Sequence, residues 1–275
     1  EFLDAKRQDG SLRVMESIRC LRDRIRTKKF LVGVEEAVKT LEKHRDEIHV
    51  CDAGCGAIPR QAIYAALSSP KIRCTCIELN PNSAEMARRV IAAFGLQDRI
   101  NVVQTDATKF QTEEGIDLLI SETMHSGLTA EPMIQIMSNL TQQVNPEGVT
   151  LPSKVTVKAA LMKVNDYAIP KGYVRIYGNL HNYVEPTWAT VAEYQPGDDL
   201  EQINFDLPTG NLEPGSYFVL LTSEVDIGSQ HLSPYQALIT IPQVLREQNM
   251  DPKFFEVKSE TQKVHVEYKP GTDLE

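Results

Sequence analysis

Between residues 48 and 144 the chain alternates short apolar segments with amphipathic ones, and this alternation restricts its fold more than any other feature. The apolar segments predict strands at 48–51, 72–77, 100–103 and 116–120. The segments with helical spacing are 60–67, 81–94 and 131–144. Strands that alternate with helices form right-handed crossovers, which build a parallel sheet with helices on both faces. We therefore predict an α/β domain over residues 46–151, with its ligand beyond the carboxyl ends of the strands.

The regions on either side of this domain have different patterns. Before it, apolar residues recur at three- or four-residue intervals over residues 12–25, and a second helical pattern covers 32–44. Residues 1–45 are therefore predicted to be an N-terminal helical segment. After Pro152, short apolar runs are separated by Pro, Gly, Asp and Asn, which predicts strands at 155–164, 173–180, 187–194, 216–225, 238–241 and 264–268. Residues 152–275 are predicted to form a β-rich sandwich or barrel.

Charge and cysteine content exclude several classes of function. The 29 basic and 38 acidic residues give a formal net charge of −9, which argues against binding to nucleic acid or to an anionic membrane surface. No apolar run is long enough to span a bilayer and no signal-peptide pattern is present, so we expect a cytoplasmic protein. Because the five cysteines form no pair of CxxC units, we expect reduced thiols and no metal site.

A glycine-containing turn, Asp52-x-Gly54-x-Gly56, lies between the first predicted strand and the following helix. Glycine allows the backbone to turn tightly and to approach a ligand closely. The residues that follow, 57–60, lack the third glycine of a dinucleotide-binding motif, and no Gly-Lys-Ser/Thr of a P-loop is present. The turn therefore predicts a nucleotide-type ligand without a phosphate chain.

Acidic residues end three successive strands of the predicted sheet, namely Asp52, Glu78 and Asp106. Asp52 would repel a phosphate but suits an ammonium group, Glu78 can accept hydrogen bonds from two ribose hydroxyls, and Asp106 can accept one from an adenine amino group. A ligand with these three parts and no phosphate is S-adenosylmethionine. The alternatives are another nucleotide-binding domain or three unrelated acids.

Three stretches of sequence resemble known families. Residues 50–56 resemble the glycine motif of class I S-adenosylmethionine-dependent methyltransferases. Residues 21–27 with Phe30 resemble the D-x-x-R-T-x-x-Y segment of the protein arginine methyltransferases. Residues 121–131 resemble the double-glutamate loop of that family, with its two glutamates nine residues apart. The resemblance implies an α/β Rossmann-like class I methyltransferase fold with a C-terminal β-rich domain, and a methyltransferase that uses S-adenosylmethionine.

The resemblance also implies a set of cofactor-binding residues, in which Arg26 pairs with the methionyl carboxylate. The predicted cofactor-binding residues are Arg26, Asp52, Gly54, Gly56, Glu78, Asp106, Ala107 and Glu122. Several family features are missing. Ile58 replaces the third glycine, residues 123–126 replace Trp-Met-Gly-Tyr, and the C-terminal Thr-His-Trp loop has no equivalent. Most of these differences concern the acceptor side. The family also suggests a possible homodimer, although its dimerisation arm is not recognisable.

Two acceptor mechanisms are compatible with the loop at 121–131. In the first, Glu122 and Glu131 hold a guanidinium group, which relieves the repulsion between two carboxylates and predicts arginine-type N-methylation. In the second, His125 acts as a general base whose ring is oriented by one of the glutamates. This arrangement predicts O-methylation of a small-molecule or carrier-bound, polyketide-like substrate. The first mechanism is favoured by a small margin because it matches more of the family's motifs.

A third interpretation is that the chain has lost catalysis and acts as a binding module, but an intact set of strand-end acids argues against it. The methyl acceptor is expected to be a small molecule, a peptide or a carrier-bound intermediate.

His231 is a further candidate site residue. It precedes a Ser-Pro-Tyr turn and could approach Asp23 in place of the missing loop histidine.

Overall fold

The computed structural model describes residues 14–163, 187–210, 212–246 and 253–271. The helices are α1 (Val14–Cys20), α2 (Arg24–Leu41), α3 (Arg60–Ser68), α4 (Pro81–Ala93) and α5 (Met133–Leu140). The strands of the first half are β1 (Ile48–Ala53), β2 (Ile72–Glu78), β3 (Ile100–Gln104), β4 (Ile116–Ser121) and β5 (Val144–Leu151). The strands of the second half are β6 (Lys154–Lys163), β7 (Ala189–Tyr194), β8 (Ile203–Pro208), β9 (Gly215–Ile227), β10 (Gln230–Leu232), β11 (Gln243–Val244), β12 (Phe254–Val257) and β13 (Lys263–Tyr268).

The first half folds around a five-stranded parallel sheet with the strand order β3-β2-β1-β4-β5. Every residue of β1 and β4 is buried, as expected for central strands that are covered on both faces. The predicted α/β Rossmann-like sheet is confirmed. Because β1 and β4 are neighbours, the chain segments that follow them meet at one edge of the sheet.

The prediction is wrong at the end of this domain, where residues 131–144 were expected to be one helix. Helix α5 covers only Met133–Leu140, and β5 adds an edge strand at Val144–Leu151. Five of the eight residues of β5 are half-buried and two are exposed, so its sequence lacks the continuous apolar run that predicted the central strands.

The second half is dominated by β9, the longest strand of the described residues. It pairs antiparallel with β6 from Lys154↔Asp226 to Lys163↔Tyr217, and β10, β11 and β12 also pair with it. Strands β8 and β13 form a separate antiparallel pair. The predicted β-rich C-terminal region is confirmed, while the domain boundaries at residues 45 and 151 stay predictions.

Of the other strands predicted in this region, one is a short helix in the structure and one lies outside the described residues. Residues 238–241 were expected to form a strand, but Leu238–Thr240 is a short 3-10 helix. The Thr240 hydroxyl accepts a hydrogen bond from the backbone N–H of Ala237, which closes a tight turn that competes with an extended backbone. The predicted strand at 173–180 lies outside the described residues.

The N-terminal helices also differ from the prediction, because the helical pattern of residues 12–25 is broken before Arg24. Asp23 caps α2, since its Oδ1 accepts a hydrogen bond from the backbone N–H of Arg26 at 3.1 Å. One long helix therefore begins at Arg24 and includes most of the second predicted helix. The cap places Arg26 in the first turn of α2, facing the protein interior.

Helix α2 packs against the β9–β10 hairpin through Gly33. A Cβ atom at this position would lie 2.7 Å from Cγ2 and 2.9 Å from the carbonyl oxygen of Ile227. The same hairpin donates to Glu36, whose Oε1 accepts a hydrogen bond from the Ser229 hydroxyl at 2.6 Å. The close approach of helix and hairpin therefore requires glycine at position 33.

We expect Gly33→Ala to destabilise the protein by about 1–2 kcal/mol. Overpacking against the backbone of Ile227 destabilises the fold by more than the higher helix propensity of alanine stabilises it. Urea denaturation followed by circular dichroism measures this change. Gly210→Ala is the matched control, since a Cβ at Gly210 would meet no atom of the described residues within 4 Å. Equal midpoints for the two variants would contradict the packing argument.

Candidate cofactor and acceptor site

The glycine turn after β1 has the conformation that its sequence predicts. Gly54 and Gly56 have φ values of 75° and 68°, in the region that favours glycine. A Cβ at Gly54 would lie 2.1 Å from Cγ2 of Thr123, and a Cβ at Gly56 would lie 2.4 Å from Oγ of Ser17. The turn is thus enclosed by α1 on one side and by the segment after β4 on the other.

Glu78, at the end of β2, binds the same turn. Its Oε2 accepts a hydrogen bond from the N–H of Gly56 at 2.9 Å, and its Oε1 accepts one from the N–H of Asn80 at 2.8 Å. Each carboxylate oxygen has two acceptor positions. The buried carboxylate therefore holds the turn in place and can still accept hydrogen bonds from ribose hydroxyls.

Asp52 lies in β1 and is buried beneath the turn. Burial raises the pKa of its carboxyl group to about 7, and the nearby Glu122 and Glu78 also raise it, while a hydrogen bond from the backbone N–H of Ala62 and the charge of Arg60 lower it. The carboxylate form is costly here because it has been removed from water. A bound ammonium group would supply the missing opposite charge, so Asp52 fits the ammonium end of an amino acid.

Asp106 and Ala107 lie beyond β3, next to Glu78. The backbone N–H of Thr105 donates to the carbonyl of Glu78 at 3.2 Å, which brings the two strand ends together. Asp106 Oδ1 accepts hydrogen bonds from the N–H and the hydroxyl of Thr108, and its side chain remains 37 % exposed. Asp106 is therefore oriented and accessible, as an acceptor for an adenine amino group has to be, and Ala107 is buried beside it.

Arg26 and Glu122 form a buried ion pair, with Nη1 of Arg26 2.9 Å from Oε1 of Glu122. Nη2 of Arg26 also donates to the carbonyl of Cys20 at 3.2 Å. Burial by itself lowers the pKa of Arg26, but the charge of Glu122 and the contacts with Cys20 and Asp23 outweigh it and raise the pKa. The arginine predicted to bind a carboxylate is therefore charged and already bound to one.

Two further donors to Glu122 were not predicted from the sequence. Nη2 of Arg60 and Nε2 of Gln61 both donate to its Oε2, the latter at 3.1 Å. These residues begin α3, the helix that follows the glycine turn. A basic residue just after the glycine motif suggests an anionic partner, and Arg60 is such a residue. Its partner Glu122 lies 62 positions away, so the spacing of the sequence does not predict the pair.

The segment from His125 to Glu131 is a tight loop. The N–H of His125 donates to the carbonyl of Ala130 at 3.2 Å, and Leu128 and Glu131 have positive φ values of 56° and 68°. Such values are strained for residues other than glycine and are concentrated at functional sites. The strained backbone at Glu131 distinguishes it from an ordinary residue near a helix start.

The β-rich region holds this loop from outside. The Ser223 hydroxyl accepts a hydrogen bond from the N–H of Gly127 at 2.9 Å, and the Tyr268 hydroxyl donates to the carbonyl of Gly127 at 2.6 Å. Residues of β9 and β13 therefore position the loop that carries the candidate acceptor residues.

His125 makes a different hydrogen bond from the one that the general-base hypothesis needs. Its Nδ1 lies 2.9 Å from the Thr129 hydroxyl, so this nitrogen is oriented by a hydroxyl and not by a glutamate. Burial lowers the pKa of His125, a backbone hydrogen bond at Ser126 opposes this effect, and the positive charge of Arg246 lowers the pKa further. The imidazole is therefore neutral at pH 7.

His231 does not approach Asp23, so that expectation is wrong. Its Nδ1 lies 2.6 Å from Oδ1 of Asp226 in the same hairpin. Asp23 Oδ2 instead accepts a hydrogen bond from the backbone N–H of Leu238 at 2.7 Å. A main-chain group from the 3-10 turn thus connects the β-rich region to the start of α2.

The described part of the chain contains neither clustered metal-ligating side chains nor a membrane-spanning helix. Those residues contain no cluster of three or more His, Cys, Asp or Glu side chains arranged to hold a metal ion. Among the same residues, no helix has both the length and the apolar character that crossing a membrane requires.

The family model described as a methyltransferase domain matches residues 50–148. These residues include the glycine turn, Glu78, Asp106 and the loop at 121–131. The predicted class I S-adenosylmethionine-dependent methyltransferase domain is therefore confirmed, and with it S-adenosylmethionine as the cofactor class.

The chain resembles proteins named as arginine methyltransferases. It is 29% identical over 192 residues to the arginine N(omega)-methyltransferase of Streptomyces achromogenes, a match covering 64% of this chain and 52% of that protein. It is 26% identical over 256 residues to protein arginine N-methyltransferase 7 of Anopheles gambiae, covering 86% of this chain and 35% of the relative. The chain thus spans about half or less of these relatives' length.

A short segment also resembles a protein of another name. Over 42 residues the chain is 55% identical to the O-methyltransferase imqG of Aspergillus flavus, a match covering 15% of this chain and 17% of that protein. This gives weak support to the O-methyltransferase alternative.

Solved structures of arginine methyltransferases share the fold. The Trypanosoma brucei PRMT1 enzyme-prozyme heterotetrameric complex with AdoHcy matches with a TM-score of 0.61 and 16% identity, over 83% of each chain. Protein arginine methyltransferase 10 of Arabidopsis thaliana matches with a TM-score of 0.60 and 19% identity, over 82% of this chain and 80% of that one. The combination of parallel sheet and β-rich region is therefore that of the arginine methyltransferases.

Proposed function

We propose that this chain transfers a methyl group from S-adenosylmethionine to a guanidino nitrogen held by Glu122 and Glu131. The observation that carries the proposal is the state of Glu122. Its carboxylate is almost buried, lies beside the glycine turn, and binds the guanidinium groups of Arg26 and Arg60. A carboxylate that already binds guanidinium groups at this position is suited to orient that of an acceptor.

The predicted cofactor residues suit the parts of S-adenosylmethionine. Asp52 would take the ammonium group, Arg26 the carboxylate, Glu78 the ribose and Asp106 the adenine, while the turn at Gly54 and Gly56 allows close approach of the backbone. When bound, S-adenosylmethionine supplies an electrophilic methyl group on a sulfonium. The residues of this chain then have to hold the acceptor nitrogen in line with that methyl group, and such positioning is a large part of catalysis.

Glu122 and Glu131 would contribute to that positioning through charge. A guanidinium group has a reference pKa of about 12.5–13.8 and delocalises its charge over three nitrogens. Two carboxylates that bind the nitrogens away from the methyl group would draw positive charge toward themselves. The third nitrogen then keeps more of its lone pair for attack on the methyl carbon.

O-methylation of a small-molecule or carrier-bound hydroxyl, with His125 as general base, is the second candidate. The neutral state of the ring and the match to the Aspergillus flavus O-methyltransferase favour it. The Thr129 hydroxyl, rather than a carboxylate, orients Nδ1, so the ring lacks the glutamate partner that this mechanism assigns to it.

An acceptor assay with S-adenosylmethionine carrying a labelled methyl group separates the two candidates. We expect labelled methylarginine from L-arginine or from an arginine-containing peptide, and no methyl ether from catechol. His125→Ala should lower this activity by less than about tenfold, because the ring is not the base of N-methylation. Methyl ether formation that His125→Ala abolishes would replace the first candidate with the second.

We also propose that this protein forms a homodimer, as its resemblance to the arginine methyltransferases predicts. The Trypanosoma brucei complex is a heterotetramer of enzyme and prozyme, and that assembly is a property of the Trypanosoma protein. For this chain, sedimentation equilibrium is expected to give twice the chain mass of 30.8 kDa.

A further inference from the structure

Arg60 is the first residue of α3 and follows the glycine turn after residues 57–59. Its side chain is only 15% exposed, and its Nη2 donates to Oε2 of Glu122. Its Nε atom is buried and has no hydrogen-bond partner within the described residues. A buried N–H without an acceptor is costly, so this guanidinium group has an unused donor beside the cofactor site.

Arg60 and Arg26 share one carboxylate. Nη1 of Arg26 lies 2.9 Å from Oε1 of Glu122, while Arg60 binds Oε2. The two guanidinium groups therefore lie close to each other on opposite oxygens of the same group. A second carboxylate bound to Arg26 on this side would therefore lie near Arg60 as well.

Oε2 of Glu122 has two donors in the free protein. Besides Arg60, it accepts a hydrogen bond from Nε2 of Gln61 at 3.1 Å. A guanidino acceptor would need these carboxylate oxygens. A third cation cannot join the two arginines on one carboxylate without strong repulsion in a buried site. Arg60 has to leave Glu122 before the acceptor binds, and a buried guanidinium group leaves only for another anion.

We propose that Arg60 is a second ligand of the methionyl carboxylate of the cofactor, and that Glu122 holds it only in the free protein. The inference rests on the proposed function. When the carboxylate of the cofactor binds, Arg60 turns to it, and Oε2 of Glu122 becomes available to the acceptor guanidinium. Arg60 thereby links occupancy of the cofactor site to the opening of the acceptor site, and Glu122 is exposed to an acceptor only after the cofactor has bound.

Calorimetric titration with two probes tests the first half of this proposal. S-adenosylhomocysteine carries the amino-acid carboxylate, whereas 5′-methylthioadenosine has the same adenosine and sulfur but no carboxylate. Arg60→Gln should weaken binding of S-adenosylhomocysteine about ten- to hundredfold, the effect of losing a charge-assisted hydrogen bond. Binding of methylthioadenosine should change by less than about twofold. Arg60→Lys should restore part of the lost affinity.

Arg89→Gln is the matched control, because Arg89 lies on the exposed face of α4 and pairs only with Glu85 among its described contacts. Equal weakening of both probes by Arg60→Gln would mean that Arg60 supports the structure of the turn, and no weakening of either would mean that it plays no part in binding. Both results overturn the inference but leave the proposed function intact. A wild-type protein that binds neither probe would overturn the proposed function and this inference with it.

A crystal structure with S-adenosylhomocysteine tests the second half. We expect the Arg60 guanidinium within hydrogen-bond distance of the homocysteine carboxylate and more than about 4 Å from Oε2 of Glu122, beyond the reach of a hydrogen bond. An Arg60 side chain that still binds Glu122 in that complex would overturn the exchange.

Discussion

Replacing Asp52 with asparagine is expected to lower the affinity for S-adenosylmethionine by at least a hundredfold and, at pH 8, to raise the thermal stability of the free protein. The loss of affinity follows from the ammonium group, which would lose its opposite charge in a buried site. The gain in stability follows from removal of a buried carboxylate to which no cation is directly bound among the described residues. The two effects have one cause and opposite signs.

The stability of the protein should depend on pH through Asp52. The pKa of Asp52 is raised from 3.8 to about 7 on folding, so the folded state holds a proton that the unfolded state has lost. The contribution of Asp52 to stability is therefore complete below pH 4 and is lost as the pH rises through 7. Between pH 4 and pH 7, the free energy of unfolding of the wild type should fall, relative to that of Asp52→Asn, by up to about 1.4 kcal/mol per pH unit.

Thermal denaturation at pH 5 and pH 8 measures this difference, with Asp98→Asn as the matched control on an exposed loop. The Asp52→Asn variant and the wild type should melt within a few degrees of each other at pH 5 and differ clearly at pH 8. A variant that melts below the wild type at pH 8 would contradict the assignment of a raised pKa. Cofactor affinity should also fall as the pH drops below 7, because binding then requires loss of a proton.

The second large effect is expected for Glu122→Gln, which should lower the turnover rate by about a thousandfold, within the range found for groups that act in the transition state. Glutamine keeps the shape and one acceptor oxygen but cannot draw positive charge away from the attacking nitrogen. The variant should also melt at a lower temperature, because Arg26 and Arg60 lose the anion between them.

The sequence also predicts Glu122 as a cofactor-binding residue, but the exchange proposed above gives the cofactor carboxylate to Arg26 and Arg60. Binding of S-adenosylhomocysteine should therefore not be weakened in Glu122→Gln. Glu193→Gln serves as the matched control, because Glu193 pairs with Lys154 on the exposed face of the β-rich region. Turnover within tenfold of wild type in Glu122→Gln, together with loss of turnover in His125→Ala, would contradict the role given to Glu122.

Much of the fold could be predicted from local pattern. The central strands β1 and β4 are buried on both faces, so their sequences are continuous apolar runs that periodicity detects. The edge strand β5 escaped detection because its residues are mostly half-buried or exposed. The start of α2 was misplaced because the apolar spacing continues through Asp23, whose capping hydrogen bond became visible only in three dimensions.

The sequence predicts those residues of the candidate site that lie at or just after the ends of strands. Asp52, Gly54 and Glu78 come together because parallel strands end at one edge of the sheet. Arg60 and the raised pKa of Asp52 were not predictable, since one depends on a contact across 62 positions and the other on complete burial. The hydrogen bond from His125 to Thr129 depends on the closure of a strained loop that no spacing rule describes.

The central claim is that Asp52, Glu78 and Asp106 surround an adenosine with a sulfonium amino acid rather than one with phosphates. Titration calorimetry of the purified chain against S-adenosylmethionine, with ATP as the phosphate-bearing comparison at equal concentration, tests it most directly. We predict saturable heat with one site per chain for S-adenosylmethionine and no saturable heat for ATP. Saturable heat with ATP alone, or with neither compound, would contradict the claim.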